Sequence, residues 1–362
     1  MFKLKKKIIQ IMQYSSNVNN IYSPKKKTNM KIKEVYNDNF ITEIKHLSSY
    51  IEEYNYIGMD TEFPGVVFKL DQFTPDFYYK SIEKNVNNLK IIQLGLSLYN
   101  SKGENPPETS TWQFNFLFDT SIDKFSNDSI SLLANSGIKF EQLKKNGIPH
   151  ILFAEYFMTS GLLLDKNIHW ISYHGASDFA YLLKLAINCN LPNDEKLFTD
   201  TLKIYFPSHY DIRMLISGKE QIKGGLNKLA QNLDIDRIGE VHQAGSDSLV
   251  TGEVFFALIN KGYISNDEIK NYENILYGLG EGEDNNETIS YVSFSSNLNT
   301  NRNLNNQTAL NLHTPIYIPS MAYKGKGNIG NGNGNNYPMM GPVMVNMNGM
   351  GNGMMLGYHN NY

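Results

Sequence analysis

A single cysteine, Cys189, stands in a chain of 362 residues. One thiol cannot build a disulfide framework, a cysteine-based zinc site or an iron–sulfur cluster. Such sparing use fits a reducing compartment, cytosol or nucleus. No apolar run approaches the roughly 18 to 20 residues of a membrane span. No apolar signal core follows the N-terminal lysines, so neither a membrane association nor secretion is expected. An overall excess of one charge is also missing: 33 basic and 36 acidic side chains leave −3. That balance argues against a broad basic nucleic-acid surface. What is present is a hydrophobic share of 41% and an aromatic share of 12%. This suffices for a sizeable core, in one large domain or two ordinary ones.

The even charge hides an asymmetry. Residues 1–33 hold nine lysines and no acidic residue, so the remainder sums to −12. The clusters Lys3-Leu-Lys-Lys-Lys7 and Lys25-Lys-Lys27 read as a solubilising, disordered extension over residues 1–38, with a nuclear address or an RNA-attracting tail as alternatives. The stretch has no arginine, which speaks against a mitochondrial presequence. Order is expected near Asn39, where Ile41, Ile44, Leu47 and Ile51 recur at helical spacing. From about Glu281 the composition shifts to Asn, Gly and Met, as in Gly325-Lys-Gly-Asn-Ile-Gly-Asn-Gly-Asn-Gly-Asn335. Residues 281–362 therefore read as a low-complexity disordered tail, leaving 39–280 as one domain.

Within that domain three strands come early: Ile57–Phe63, ended by Pro64-Gly65, then Ile91–Leu98 and Trp112–Phe116. Helices are expected over about 128–146 and 151–164. A strand His169–Tyr173 leads into a helix at about 178–187, and further helices follow at about 225–233 and 246–260. This order predicts an α/β domain with a mixed sheet flanked by helices.

Two acids sit where an apolar strand should not want them. Asp60 and Glu62 are separated by one residue, so both point to the same face. Like charges in a partly buried site repel and are costly to desolvate. A divalent ion relieves this, and oxygen ligands favour magnesium or manganese; two strand-end acids facing water are the alternative. In Tyr173-His-Gly-Ala-Ser-Asp178 an acid lies just past a strand at a helix start, as a cap or as a ligand. In Val241-His242-Gln-Ala-Gly-Ser-Asp247 a histidine precedes an acid by five residues where a loop enters a helix.

Together, D-x-E, H-G-A-S-D and H-x4-D resemble the DEDD superfamily of 3′→5′ exonucleases, in its histidine branch. Longer segments sharpen the resemblance: Met59-Asp-Thr-Glu-Phe-Pro-Gly-Val-Val67, Leu89-Lys-Ile-Ile-Gln-Leu-Gly-Leu96, Thr109-Ser-Thr-Trp-Gln-Phe-Asn-Phe116, Phe206-Pro207 with Tyr210-Asp211, Lys223-Gly-Gly-Leu226, Arg237-Ile-Gly239 and His242-Gln-Ala-Gly-Ser-Asp-Ser-Leu249. These look like the Caf/Pop-type deadenylase subunit of the CCR–NOT complex, over about residues 41–280. Two departures are local. Gly175-Ala176-Ser177 stands where the family usually has Ser-Gly-Tyr, and Glu253 replaces a residue that is usually uncharged.

The resemblance implies a ribonuclease-H-like fold, two divalent ions (Mg2+ or Mn2+), and stepwise removal of 3′ adenosines from the poly(A) tail of mRNA with release of 5′-AMP. On that reading Asp60 bridges both ions, Glu62 and Asp247 complete the first site, and Asp178 supports the second. His242 takes the proton from the attacking water, its near-neutral pKa class suiting the task. The implied partners are the NOT scaffold and other CCR–NOT subunits, with work in the cytoplasm and presence in the nucleus. Substrate contacts are less specified. Phe63 faces the terminal base or packs in the core. Lys223 meets a phosphate at a helix start or merely precedes a glycine-rich turn. His174 takes a structural or substrate-facing place. A non-catalytic bridging subunit and an exonuclease for other 3′ ends are the competing readings.

Overall fold

Residues 32–71 and 76–280 are described in the computed structural model of the chain. Six strands form one sheet: β1 (Ile32–Val35), β2 (Tyr56–Glu62), β3 (Gln93–Tyr99), β4 (Thr111–Asn115), β5 (His169–Ser172) and β6 (His209–Asp211). Their order is β1-β4-β3-β2-β5-β6. β2 runs antiparallel to β3, and β3 to β4, whereas β1–β4, β2–β5 and β5–β6 are parallel. The mixed sheet expected from the early strands is therefore present. The helices are α1 (Phe40–Ser48), α2 (Phe77–Asn88), α3 (Asn127–Asn135), α4 (Phe140–Asn146), α5 (His150–Thr159), α6 (Ala176–Ile187), α7 (Glu195–Tyr205), α8 (Ile212–Leu215), α9 (Leu226–Asn232), α10 (Ala244–Asn260) and α11 (Asn266–Asn271).

Strand alternation gives the sheet two unlike faces. Ile57 and Met59 of β2 lie across from Leu98 and Leu96, and Leu96 and Leu94 from Trp112 and Phe114. These side chains are buried in the main core with residues of α1, α2, α5 and α6. The opposite face carries Gly58, Asp60 and Glu62, across from Ser97, Gly95 and Gln93, and then from Thr111, Gln113 and Asn115. It is small and polar, and α10 lies directly on it. A Cβ added at Gly95 would stand 1.9 Å from the Ala244 carbonyl oxygen, and one at Gly58 would stand 2.5 Å from the Ser248 carbonyl oxygen. Only glycine lets the helix backbone come this close. The outer side of α10 buries Leu249, Val250, Val254 and Phe255 in a second core with Ile171, Ile212 and Leu229.

Several boundaries differ from expectation. Order starts before Asn39: Ile32–Val35, inside the segment 1–38 read as disordered, pairs with β4 as an edge strand. The single helix over 128–146 is two, because Gly137 takes φ 96 and its own N–H and that of Ile138 close back on Ala134 and Leu133, a left-handed helix stop. The helix over 151–164 ends at Thr159, before Gly161 at φ 84. Helix α2 and strand β6 had no counterpart in the sequence reading. The rest of the arm, 1–31, and the tail, 281–362, lie outside the described residues. No helix among the described residues is long and apolar enough to cross a membrane.

Candidate metal centre

Asp60 and Glu62 project from the end of β2, and Asp247 from the first turn of α10, where the helix crosses that strand. One carboxylate oxygen from each fits within 4.8 Å of the others. Asp178, in the first turn of α6, stands outside this trio on the strand's other side. Its Oδ1 accepts from Thr61 N–H at 3.0 Å and from the Thr61 hydroxyl at 2.5 Å. Thus β2 contributes three consecutive residues that reach acids on both faces of the sheet.

The electrostatics are those of a cluster with more negative charge than its one neighbouring guanidinium, Arg237, offsets. Burial, then the charges of Asp178, Asp247 and Glu62, hold the Asp60 carboxyl far above its usual range, against a smaller opposing pull from Arg237. Burial, then Asp247 and Asp178, push Glu62 up to about 8. Asp178 rises to about 6 through burial, opposed by the hydrogen bonds from Thr61. An all-oxygen donor set whose members repel one another fits a divalent ion such as magnesium or manganese.

Asp247 and His242 are placed by a lattice of amide side chains. Helix α10 lacks a side-chain cap of its own, and the sheet supplies one. Ala244 N–H donates to Gln93 Oε1 at 3.3 Å, and Gly245 N–H to Gln113 Oε1 at 2.8 Å. Gln243, next to His242, accepts at Oε1 from Gln93 (3.2 Å) and Gln113 (2.9 Å) and donates to the Ser136 carbonyl at 2.7 Å. Glu34 on β1 closes the lattice by accepting from Gln113 and Asn115. His242 takes φ 61, and its N–H donates to Asp247 Oδ2 at 2.9 Å, leaving an exposed imidazole beside the cluster's helix. Arg237 pairs with Asp247 Oδ1 at 2.9 Å and donates to Ser246 Oγ at 2.8 Å. Gln93, Gln113, Gln243 and Arg237 were quoted in the sequence only inside longer motifs; their roles depend on cross-strand register and helix contact.

The remaining candidates divide. Phe63 is half-buried and stacks on Tyr181, with centroids 5.2 Å apart, packed against the main core. The buried Tyr181 hydroxyl, one turn beyond Asp178, has no hydrogen-bond partner among the described residues. His174 is exposed, at the lip next to α6. Lys223 is exposed and paired with Glu220, and the structure does not bring it into the acidic cluster. As for the two departures, a Cβ at Gly175 would come within 2.2 Å of Ser172 Oγ, so this chain's local packing demands glycine there. Glu253 is half-buried farther along α10, where its charge adds to the burial that raises the Tyr99 phenol.

Three comparisons place this geometry among known proteins. The profile of the CAF1 family ribonuclease matches residues 35–157. The chain is 42% identical over 265 residues to probable CCR4-associated factor 1 homolog 7 of Arabidopsis thaliana, covering 70% of this chain and 95% of that one. It is 41% identical over 252 residues to the poly(A) ribonuclease pop2 of Schizosaccharomyces pombe, covering 69% and 75%. Among solved structures, S. pombe Pop2p in its Mg2+ and Mn2+ bound form superposes with a TM-score of 0.66 at 41% identity, over 68% of this chain and 99% of that one. CAF1 co-crystallized with the yeast NOT1 MIF4G domain superposes with a TM-score of 0.59 at 30% identity, over 68% and 96%.

Proposed function

The chain belongs to the CAF1 family of ribonucleases, and from that premise we propose that it is a metal-dependent 3′→5′ exoribonuclease that shortens the poly(A) tail of mRNA, releasing 5′-AMP, within a CCR4–NOT-type assembly. The observation that carries this reading is the convergence of Asp60, Glu62 and Asp247 within 4.8 Å, with Asp178 just beyond them. Burial first, and then the neighbouring carboxylates, hold Asp60 and Glu62 above their usual range, a site built to receive positive charge.

Asp60, Glu62 and Asp247 would hold one divalent ion, and Asp178, steadied by Thr61, would serve a second with Asp60. When bound, such a pair supplies the charge that activates water and steadies the displaced 3′ oxygen. The chain's own part is positional. The carboxylates share one strand end and two helix starts, so their spacing is set by the sheet rather than by a loop. His242 would accept the attacking water's proton at its imidazole. The left-handed backbone and the N–H bond to Asp247 fix where that ring starts. Likeness to a CAF1 that was crystallized with a NOT1 domain supports a NOT-type scaffold as partner. Work in the cytoplasm and nucleus is part of the same proposal.

The test is a comparison of 5′-labelled RNAs ending in adenosines or in uridines, incubated with the full chain and Mg2+ or Mn2+. Stepwise 3′ shortening that favours the adenosine tail and stalls at the non-A body is expected. Equal attack on uridine would assign the preference to partners, and intact RNA with folded protein would leave a bridging subunit.

A further inference from the structure

Beside Asp178 lies a constellation that the hydrolytic chemistry does not use. Tyr78, in the first turn of α2, is 37% exposed. Its hydroxyl lies 3.2 Å from His174 Nε2, and the planes of the two rings differ by only 11°. Tyr277 stands nearly perpendicular to His174, at 83° with centroids 5.3 Å apart. The Arg213 guanidinium lies 5.2 Å from the Tyr277 ring centre. Segments far apart in sequence thus gather three rings at one place.

The gathering is ordered from beneath. Asp211, fully buried, accepts four backbone N–H bonds. His174 (2.7 Å) and Arg213 (2.9 Å) donate to Oδ1, and Gly175 (3.2 Å) and Tyr277 (3.0 Å) donate to Oδ2. One carboxylate ties down every segment of the group except that of Tyr78. Tyr78 is seated instead against Gly278, where an added Cβ would approach its ring to 2.8 Å. His174 holds φ 61, a conformation that a non-glycine residue keeps only when its surroundings enforce it. A buried charge and a strained backbone together fix a surface of rings facing water.

Its place indicates what it meets. His174 precedes Asp178 by four residues, and the charge of Asp178 reaches the Tyr78 phenol, adding to burial and Asp211 in raising it. Resting on the ribonuclease reading above, we propose that Tyr78, His174 and Tyr277 form a stacking subsite for one nucleobase of the single-stranded 3′ segment of RNA. Aromatic faces accept any base by its π-surface, and a stacked base contributes on the order of tenfold or more in affinity. The subsite therefore serves grip and register; no contact in it selects adenine.

An abasic scan tests the subsite. RNAs with adenosine tails carry one abasic residue in turn at each of the last few positions, and kcat/KM is measured for the full chain and for Tyr78→Ala. In the wild type, one position should show a penalty of about tenfold. Tyr78→Ala should lose a similar factor on intact RNA and show no penalty at that position, while Tyr78→Phe keeps both. A full penalty retained in Tyr78→Ala, or no penalty at any position, overturns the proposal. Should Tyr78→Ala fail to fold, Tyr277→Ala is read by the same criteria. If the wild type cleaves none of these RNAs, the ribonuclease reading fails by itself. Quenching of 2-aminopurine at each position on binding then decides the subsite: quenching lost in the ring variant supports it, and equal quenching overturns it.

Discussion

Gly95→Ala should separate α10 from the sheet and disable the candidate centre from its far side. The new Cβ would lie 1.9 Å from the Ala244 carbonyl oxygen and 2.2 Å from its carbon, where ordinary contact is 3.4–4 Å. Relief requires about 1.5 Å of movement, and both partners are backbone, so no side chain can swing aside. Ala244 opens the helix that carries Asp247, and Gly95 faces Asp60 across the β2–β3 ladder. The opening therefore falls on the trio that now fits within 4.8 Å. Overpacking of this kind costs about 3 kcal/mol, or a fall in Tm of about 6–12 °C in a domain of this size. Misplacement by about 1 Å lowers the rate on the order of 100-fold. Melting curves and single-turnover cleavage, beside Gly225→Ala, where an added Cβ meets nothing within 4 Å, make the comparison. A Gly95→Ala protein that melts with the wild type and cleaves within threefold of it would refute close helix–sheet contact as the basis of the site.

Glu62→Gln should stabilise the metal-free protein increasingly as pH rises. The Glu62 carboxyl, pushed up to about 8, keeps its proton in the folded chain between its ordinary value of 4.5 and 8, while the unfolded chain releases it. Wild-type stability then falls across that window and levels off above it, so the variant's Tm advantage in EDTA should widen from pH 5 to pH 8 and then stay constant; a pH-independent difference contradicts the cause given. Arg237→Gln removes a charge that lowers Asp60, so protons compete with cations at higher pH, and the acid limb of the rate profile should move upward; an unmoved limb would show that Arg237 does not act on the cluster. Gln243→Ala withdraws the acceptor shared by Gln93 and Gln113, and kcat should fall about tenfold with KM within twofold, since the loop beside His242 loses its anchor; an unchanged kcat would reduce the lattice to packing.

The acids were legible because they break a local rule: Asp60 and Glu62 interrupt an apolar strand on one face, and no internal partner appears in the sequence. Asp178 and Asp247 were legible as acids in first helical turns. Helix α2 was not seen because it follows a segment marked by Pro64, Gly65 and Pro75, and its buried side Tyr79, Ile82, Asn85 and Val86 mixes polar with apolar residues. Strand β6 has three residues and β1 four, too few to show a period, and each is held by pairing with a distant strand. Gly58 and Gly95 read as weak points in strands until the helix backbone above them is known. Asp211 stands in the sequence only as the end of the Tyr210-Asp211 motif; that it gathers four N–H groups from three segments follows only from tertiary structure. Lys223, a residue type suited to phosphate, lies outside the acidic cluster, exposed and paired with Glu220, a placement its position before a glycine pair did not reveal.

The claim underlying all of this is that the four acids act through divalent ions. Its most direct measurement follows a 5′-labelled RNA with an adenosine tail in Mn2+, using wild-type protein with and without EDTA and an Asp60→Asn protein whose melting shows it folded. The account predicts a ladder shortening from the 3′ end with 5′-AMP as product, absent in EDTA and in the variant. Shortening that survives chelation, or more than a few per cent of the wild-type rate in Asp60→Asn, would contradict it.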